Sequence, residues 1–408
     1  MSKFIAVEEA ISHILSRIPV TSGERIHLGK SQGRCLLRAI DAPFNSPRFD
    51  NSAMDGFAVR WDDIDPVPST LAIRGVSAAG HPSAEVVVAG QAFQISTGAP
   101  IPSGADTVVP RELCEVDGEE VTINELPGSD RGANIRLAGT YLQAGEPALQ
   151  PGRALTGADV GLLVSFNRPV IEVHRQPRVA IISTGDELVE LGDEVGPGQI
   201  INSNAYMLES LVARFGGIPI VYPIVPDDRD ATVDTFQEAV ASADLVISSG
   251  GVSVGDHDHV RDVLDEISGG MTFWKVRMKP GKPLAFGIAR SDQRRVPLIG
   301  LPGNPASSFV GFHHFVRPAL AVAQGTSIDD APLARITATL RGEVSGSRGR
   351  RVYTAGRALP GDDGLIFEAI SNQSSGNPAL FAGANAFGIV EEGQTGLSDG
   401  APISVHLL

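Results

Sequence analysis

At 408 residues, with 42% hydrophobic and 20% charged content, the chain has the composition of a folded protein and exceeds what one hydrophobic core serves, so about two to four domains are expected. A net charge of −15 argues against a nucleic-acid or anionic-membrane partner and makes any locally basic cluster informative. Two cysteines, Cys35 and Cys114, provide neither a disulfide framework nor a paired metal or redox motif, as expected of a cytoplasmic protein.

The opening stretch MSKFIAVEEAISHIL carries Glu8 and Glu9 on an amphipathic pattern and does not read as a signal peptide. Phe4, Ile5, Ile11, Ile14, Leu15 and Ile18 predict a first helix within residues 3–18. No apolar run approaches the ~20 residues that span a bilayer. After a short strand region around Ala39, the segment DAPFNSPRFDNSAMDGFAVR is rich in Pro, Asn and Asp and predicts an ordered loop entering a new domain. From Met54 to about Gln143 the segments LAIRGV, AEVVVAG, QAFQIS, DTVVP and EVTIN alternate with turns, which predicts a small inserted β domain. Residues 155–168 return to a helical pattern. The expected organisation is a split N-terminal domain (1–45 with 144–175), an inserted β-rich domain (46–143), an α/β domain (176–326) and a C-terminal β domain (327–408).

From Arg178 onward strands and helices alternate. RVAIIST, IPIVYPIV and DLVISS read as strands, and AYMLESLVARFGG, DATVDTFQEAVAS and HVRDVLDEIS as helices. A cationic strand follows, then PLIGLPGNP, which feeds the helix PASSFVGFHHFVRPALAV with Pro305 at its first turn. This alternation predicts a doubly wound, mostly parallel α/β sheet that binds ligands beyond the carboxyl ends of its strands. TGDE (184–187), SSGGVSVGDHD (248–258) and GLPGNP (300–305) each follow a strand, so they are expected to converge on one crevice. Beyond Gly325, RITATLRGEV, RVYTAGRAL, LIFEAI, AFGIVEE and APISVHLL predict a β domain.

The cationic stretch has the strongest chemical signal. Lys275, Arg277 and Lys279 alternate with Trp274, Val276 and Met278, which would set three positive charges on one strand face, with Lys282 following in the turn. Lysines solvated at the rim of a sheet would read the same way. Gly250 and Gly251 open a turn able to present N–H groups to a phosphate. Glu187 can bind a substrate hydroxyl or amine, or cap the following segment. Asp256, His257, Asp258 and His259 resemble a transition-metal cluster, yet alternation would point the two Asp and the two His in opposite directions, which favours Mg²⁺ held by a carboxylate and a substrate phosphate over a zinc-like site. His313 and His314 read as packing or surface residues. The P-loop, nucleophile-elbow and Cys/His nucleophile patterns do not occur.

Six motifs then appear in order: NSAMDGFA (51–58), STGAP (96–100), STGDEL (183–188), SSGGVSVG (248–255), KPGKP (279–283) and LPGNP (301–305). Together they resemble the molybdopterin molybdenumtransferase family, MoeA, which includes the E domain of gephyrin, and the resemblance spans nearly the whole chain. It implies the molybdopterin-binding type of α/β domain and a transferase of molybdenum cofactor biosynthesis. In that reaction adenylylated molybdopterin and molybdate give molybdenum cofactor and AMP, with Mg²⁺. It also implies a cytoplasmic homodimer whose cleft lies between subunits, with other cofactor-synthesis proteins and acceptor molybdoenzymes as further partners. Carried across by motif, Asp55 and Thr97 would approach from the partner subunit and Glu187 would hold the pterin. Asp227 and Asp258 would serve Mg²⁺ and the phosphate. Lys275, Lys279 and Lys282, with Ser375, would neutralise the oxyanions. Ser183, Thr184, Gly250, Gly251, Ser253, Pro302, Gly303 and Pro305 would line the substrate site. The segment NIRLAGTY (134–141) departs from the pattern, with Tyr141 where the family commonly has an acidic residue. Either that acidic residue is dispensable, or the chain is a paralogue with altered activity or a different oxyanion such as tungstate; separately, the gephyrin branch of the family leaves a scaffold protein on the same fold as an alternative.

Overall fold

The computed structural model describes residues 4–252 and 259–408. The chain forms two compact units, one of Met1–Arg38, Pro151–Val160 and Pro169–Leu408, the other of Ala39–Gln150 and Gly161–Arg168. Helix α1 (Val7–Leu15) opens the chain and buries Val7, Ala10, Ile14 and Leu15 in the core of the first unit.

The second unit is built on a mixed six-stranded sheet. Its strands are β1 (Gly56–Val59), β2 (Ser69–Ser77), β3 (Gln91–Ile95), β4 (Thr107–Pro110), β5 (Cys114–Asp117) and β6 (Glu120–Ile123), in the order β4-β1-β3-β2-β6-β5. Phe57, Val59, Leu71, Val109 and Val121 fill its core. The segment AEVVVAG does not form the expected strand. Val86 and Val88 are exposed, and Val87 is held instead by a hydrogen bond from its N–H to the Ser103 carbonyl. The Gly104 backbone passes so close that a Cβ there would lie 2.3 Å from the Val87 oxygen, so the segment is fixed by a loop rather than a ladder.

After α2 (Gly157–Ser165) the chain enters the α/β part of the first unit. Its strands are β7 (Arg178–Ser183), β8 (Ile218–Val221), β9 (Leu245–Ser249), β10 (Phe273–Trp274), β11 (Met278–Lys279), β12 (Ala285–Ser291) and β13 (Arg294–Leu301). The sheet order is β8-β7-β9-β13-β12-β10, with β8, β7, β9 and β13 parallel and the last two antiparallel. Its helices are α3 (Ser203–Arg214), α4 (Arg229–Ser242), α5 (His259–Ser268), α6 (Pro305–Gly311) and α7 (Arg317–Ala323). Strand alternation sends Val179, Ile181, Ile247 and Ile299 to a core shared with α1, α3 and α7, while Ala180, Ile182, Val246 and Leu298 join a core shared with α4 and α5. Central strands buried on both faces are the physical reason that RVAIIST and DLVISS read as continuous apolar runs.

Between α6 and α7 the helix widens into a π turn, Phe312–Val316. Pro318 lacks an N–H and cannot continue an unbroken α-ladder through this point, so the single helix expected over 305–322 is interrupted. His313 and His314 are buried in that turn. The C-terminal strands β14 (Ile336–Arg341), β15 (Arg351–Gly361), β16 (Gly364–Ala369), β17 (Ala386–Val390) and β18 (Pro402–Leu407) close on themselves in the circuit β15-β16-β14-β18-β17-β15. Strand β11 pairs in parallel with the start of β15, which ties the Lys279 turn to this barrel.

Candidate active site

The carboxyl ends of β7, β9 and β13 lie side by side, and each delivers one of the three strand-end turns. The Thr184 amide donates to the Ser249 carbonyl at 3.4 Å and the Gly250 amide to the Leu301 carbonyl at 3.2 Å. The backbone here requires glycine. Gly250 has φ +100°, and a Cβ on it would lie 2.9 Å from the Thr184 oxygen; on Gly251, at φ +65°, a Cβ would lie 2.4 Å from the Val260 side chain. Gly303 sits against Gly250, whose Cα would be 3.5 Å from a Cβ placed there. Gly185, at φ +141°, makes room for the Glu187 carboxylate, which folds back against it.

Asn204, in the first turn of α3, ties two of these turns together. Its Nδ2 donates to Ser249 Oγ at 2.8 Å and to the Gly303 carbonyl at 2.6 Å. Beneath the turns, Ser183 Oγ, Thr184 Oγ1, Ser248 Oγ and Asn204 Oδ1 are buried without a hydrogen-bond partner among the described residues. Buried polar atoms in this state are completed by water or by a ligand. Exposed Asp186 and Asp227 are joined reciprocally: the Asp227 N–H donates to Asp186 Oδ1 at 3.1 Å and the Asp186 N–H to Asp227 Oδ2 at 3.4 Å. Among the described residues no group of three His, Cys, Asp or Glu side chains could enclose a metal ion. Two hard carboxylates with open positions around them fit Mg²⁺, which keeps several waters and takes phosphate oxygens.

The cations alternate with buried residues as expected, Val276 and Met278 being buried while Lys275, Arg277 and Lys279 are not, but they are not all left free. Lys275 adopts φ +99°, which breaks the strand after Trp274. Its Nζ lies 3.7 Å from the Trp274 ring centroid, with the Arg261 guanidinium 4.8 Å from the same ring, while Trp274 Nε1 donates to the Val252 carbonyl at 2.9 Å. Arg277 turns away altogether: its Nε pairs with Glu392 at 3.0 Å and its Nη1 donates to the Phe4 carbonyl at 3.0 Å. Lys279 and Lys282 remain exposed on a turn packed against the start of α6, where a Cβ on Gly281 would lie 3.7 Å from the Ser307 oxygen. The buried Pro302 carbonyl accepts a hydrogen bond from Ser308 Oγ. Ser375 arrives from the barrel, accepting from Asn304 Nδ2 on its Oγ at 3.4 Å and from the Ala306 N–H on its carbonyl at 3.2 Å, beside Pro305. Ser253 and Asp258, with Asp256 and His257, lie outside the described residues.

In the second unit the motifs at 51–58 and 96–100 clamp one another. The Ser52 N–H donates to the Ala99 carbonyl and the Gly98 N–H to the Ser52 carbonyl. The Thr97 N–H and hydroxyl both donate to Asp55 Oδ1, at 2.7 and 3.1 Å, and those two bonds hold the exposed carboxyl below its ordinary pKa. Gly56 is obligatory beside them, since a Cβ would lie 2.0 Å from the Val109 oxygen. Tyr141 is 61% exposed. Neither cysteine belongs to these turns. Cys35 is buried, and burial with help from the Glu112 charge pushes the Cys114 thiol up to about 11, so both are poor nucleophiles.

Sequence reasoning did not single out Asp186, Asn204 or Trp274. Asp186 was visible inside TGDE, but its pairing with Asp227 joins two loops 41 positions apart. Asn204 sits next to the helix cap Asn202, whose side chain accepts from the Ala205 N–H, and nothing in one dimension separates the capping residue from the bridging one.

A doubly wound sheet with glycine turns at its carboxyl end, combined with a closed C-terminal barrel and a separate β-rich unit, defines the MoeA class of fold. The structure is similar to a molybdopterin biosynthesis moeA protein from Pyrococcus horikoshii, with a TM-score of 0.85 and 28% identity over 100% of both chains. A second structure from that organism gives a TM-score of 0.81 with 29% identity over 99% of each chain. Family models match residues 5–167 as the MoeA N-terminal region (domain I and II), 180–322 as a probable molybdopterin binding domain, and 337–408 as the MoeA C-terminal region (domain IV). The molybdopterin molybdenumtransferase of a Nostoc strain is 36% identical over 98% of this chain and 93% of its own length; that of Haemophilus influenzae is 34% identical over 99% and 100%. The chain belongs to the molybdopterin molybdenumtransferase family.

Proposed function

We propose that this protein is a molybdopterin molybdenumtransferase that inserts molybdate into adenylylated molybdopterin and releases AMP, in a Mg²⁺-dependent step of molybdenum cofactor biosynthesis. The observation that carries this reading is the gathering of the Thr184–Glu187, Gly250–Gly251 and Gly303–Pro305 turns at one sheet end, with Ser375 beside them and unpaired buried hydroxyls beneath. Glu187 orients the pterin through its ring nitrogens. Lys275, Lys279 and Lys282 receive the negative charge of molybdate and of the phosphoanhydride as it cleaves. Ser183, Thr184, Gly250, Gly251, Ser253, Pro302, Gly303, Pro305 and Ser375 shape the substrate cleft. Asp227 and Asp258, with Asp186 beside Asp227, would hold Mg²⁺, which supplies Lewis-acid stabilisation of the phosphate oxygens when bound. The dithiolene sulfurs that take the metal belong to the pterin, so a site without cysteine suits the reaction.

Asp55 and Thr97 complete the site from the second copy of a cytoplasmic homodimer in this reading, and the product passes to acceptor molybdoenzymes. Purified protein mixed with adenylylated molybdopterin, Mg²⁺ and molybdate is expected to release AMP and to reconstitute a cofactor-free molybdoenzyme. AMP release from generic ATP with no need for pterin would overturn the assignment. The exposed phenol of Tyr141, in place of a carboxylate, favours running the assay with tungstate beside molybdate. A site shared between subunits also predicts that mixed Asp55→Ala and Lys279→Ala chains recover activity that neither variant has alone, and failure of that complementation places the site within one subunit.

A further inference from the structure

A cavity of about 400 Å³ opens at the amino end of the α/β sheet, against the starts of β7, β9 and β13 and opposite the candidate active site. Its walls carry Arg17, Arg175, Arg294 and Arg295 against a single carboxylate, Asp244. That carboxylate is already engaged, bidentately by Arg175 at 2.6 and 2.7 Å and by the Arg178 N–H at 2.8 Å. The excess of cations is notable in a chain of net charge −15. Two of the guanidiniums are structural. Arg175 is locked to Asp244, and Arg294 donates to the Val240, Ala241 and Ala243 carbonyls at the end of α4. The other two retain donors. The Arg17 guanidinium uses only its Nη1, toward His13 and Ser16, and the Arg295 guanidinium has no hydrogen bond or ion pair among the described residues. Ile18, Pro19 and Val20 form an apolar lip beside them.

We propose that this cavity binds a small phosphate monoester, its dianionic phosphate held by Arg17 and Arg295 and its apolar or aromatic body lying on the Ile18–Val20 lip. Planar guanidiniums with spare N–H donors match phosphate oxygens in charge and geometry, and the fixed Arg175 and Arg294 add field without needing to move. The volume is in the range of small-ligand pockets, roughly 300–1,000 Å³. The proposal is independent of the reaction assigned to the carboxyl-end site.

The test is calorimetric titration of the full-length protein with phenyl phosphate, with phenol and inorganic phosphate as controls. Saturable binding of phenyl phosphate, stronger than that of inorganic phosphate and absent for phenol, is expected. Arg295→Ala and Arg17→Ala should each weaken it about tenfold or more, through loss of charge-assisted hydrogen bonds, while Lys279→Ala leaves it unchanged. Binding that survives both arginine substitutions, or that Lys279→Ala removes, overturns the proposal, as does the lack of any saturable binding. A phospholipid headgroup presents the same chemistry. Arg295-dependent sedimentation with phosphatidic acid vesicles would assign the cavity to a lipid and overturn the soluble ligand.

Discussion

Asn204→Ala tests whether the strand-end turns act as one unit. The residue is 8% exposed and its side chain gives two hydrogen bonds, to Ser249 Oγ at 2.8 Å and to the Gly303 carbonyl at 2.6 Å. Each is worth about 1 kcal/mol net, and leaving the Gly303 oxygen without a donor costs about 1 kcal/mol more, so roughly 2–3 kcal/mol should be lost. At about 2–4 °C per kcal/mol, the thermal midpoint of the α/β part should fall by roughly 4–12 °C. Because the two bonds hold the Gly250 and Gly303 turns in register, KM for adenylylated molybdopterin should rise about tenfold, a share of that free energy. Asn204→Asp keeps the shape but turns an anion toward the Gly303 carbonyl, so it should be worse than alanine on both measures. Calorimetry and steady-state AMP release check this. A midpoint within about 1 °C of the parent, the range expected of an inconsequential surface change, would refute the bridging role. A fall in midpoint with KM unchanged would refute the coupling of the bridge to substrate.

Lys279→Ala should abolish molybdate insertion while changing the unfolding free energy by less than about 0.5 kcal/mol, because the residue is exposed; retained insertion would remove Lys279 from the site. Gly250→Ala should lose both activity and about 1–3 kcal/mol of stability, since the residue stands at φ +100° with the Thr184 oxygen 2.9 Å from the new methyl. The buried histidines predict acid lability. Val310 offers a carbonyl 2.9 Å from His314 Nδ1, so that nitrogen carries the proton, His314 Nε2 accepts, and His406 Nδ1 donates to it across 3.1 Å. Burial, reinforced by Arg335 and Arg351, drives His406 down to about 4; burial, with Arg317 and Arg214, drives His313 to about 3; and burial, with His406, holds His314 well below its ordinary value. A base depressed in the folded state contributes its full stability above the unfolded value near 6.5 and loses it as the pH falls toward the folded one, about 2 kcal/mol at pH 5 for each imidazole that stays neutral. Urea unfolding at pH 7.5 and 5 should show the drop, and His406→Gln, which keeps a donor toward His314, should reduce it by the share of one imidazole, about 2 kcal/mol. Equal stability at the two pH values would contradict the buried neutral pair.

Much of this molecule was legible in one dimension because its signals are local. Two-faced burial writes itself as the unbroken apolar runs Ile181–Ile182 and Leu245–Ile247, and turns that demand positive φ announce themselves as Gly250 and Gly251. Six motifs in order were enough to indicate the family, and the expected convergence of three turns follows from strand polarity alone. The strand breaks at Lys275, a left-handed residue, and Arg277 is taken up by Glu392 instead of standing free beside the lysines. The Lys275 backbone is held on both sides, its N–H donating to the nearby Leu284 carbonyl and its carbonyl accepting from the N–H of Ile5, 270 positions away, and no local propensity records that second contact. The pairing of Asp186 with Asp227, the bridge from Asn204 to Gly303 and the arginine cavity at the amino end of the sheet have the same origin. The order of residues determined which segments are strands, helices and glycine turns, because those depend on near neighbours. Which side chains meet was decided by the packing of segments far apart in the chain, where the free energy of contact is not written beside either partner.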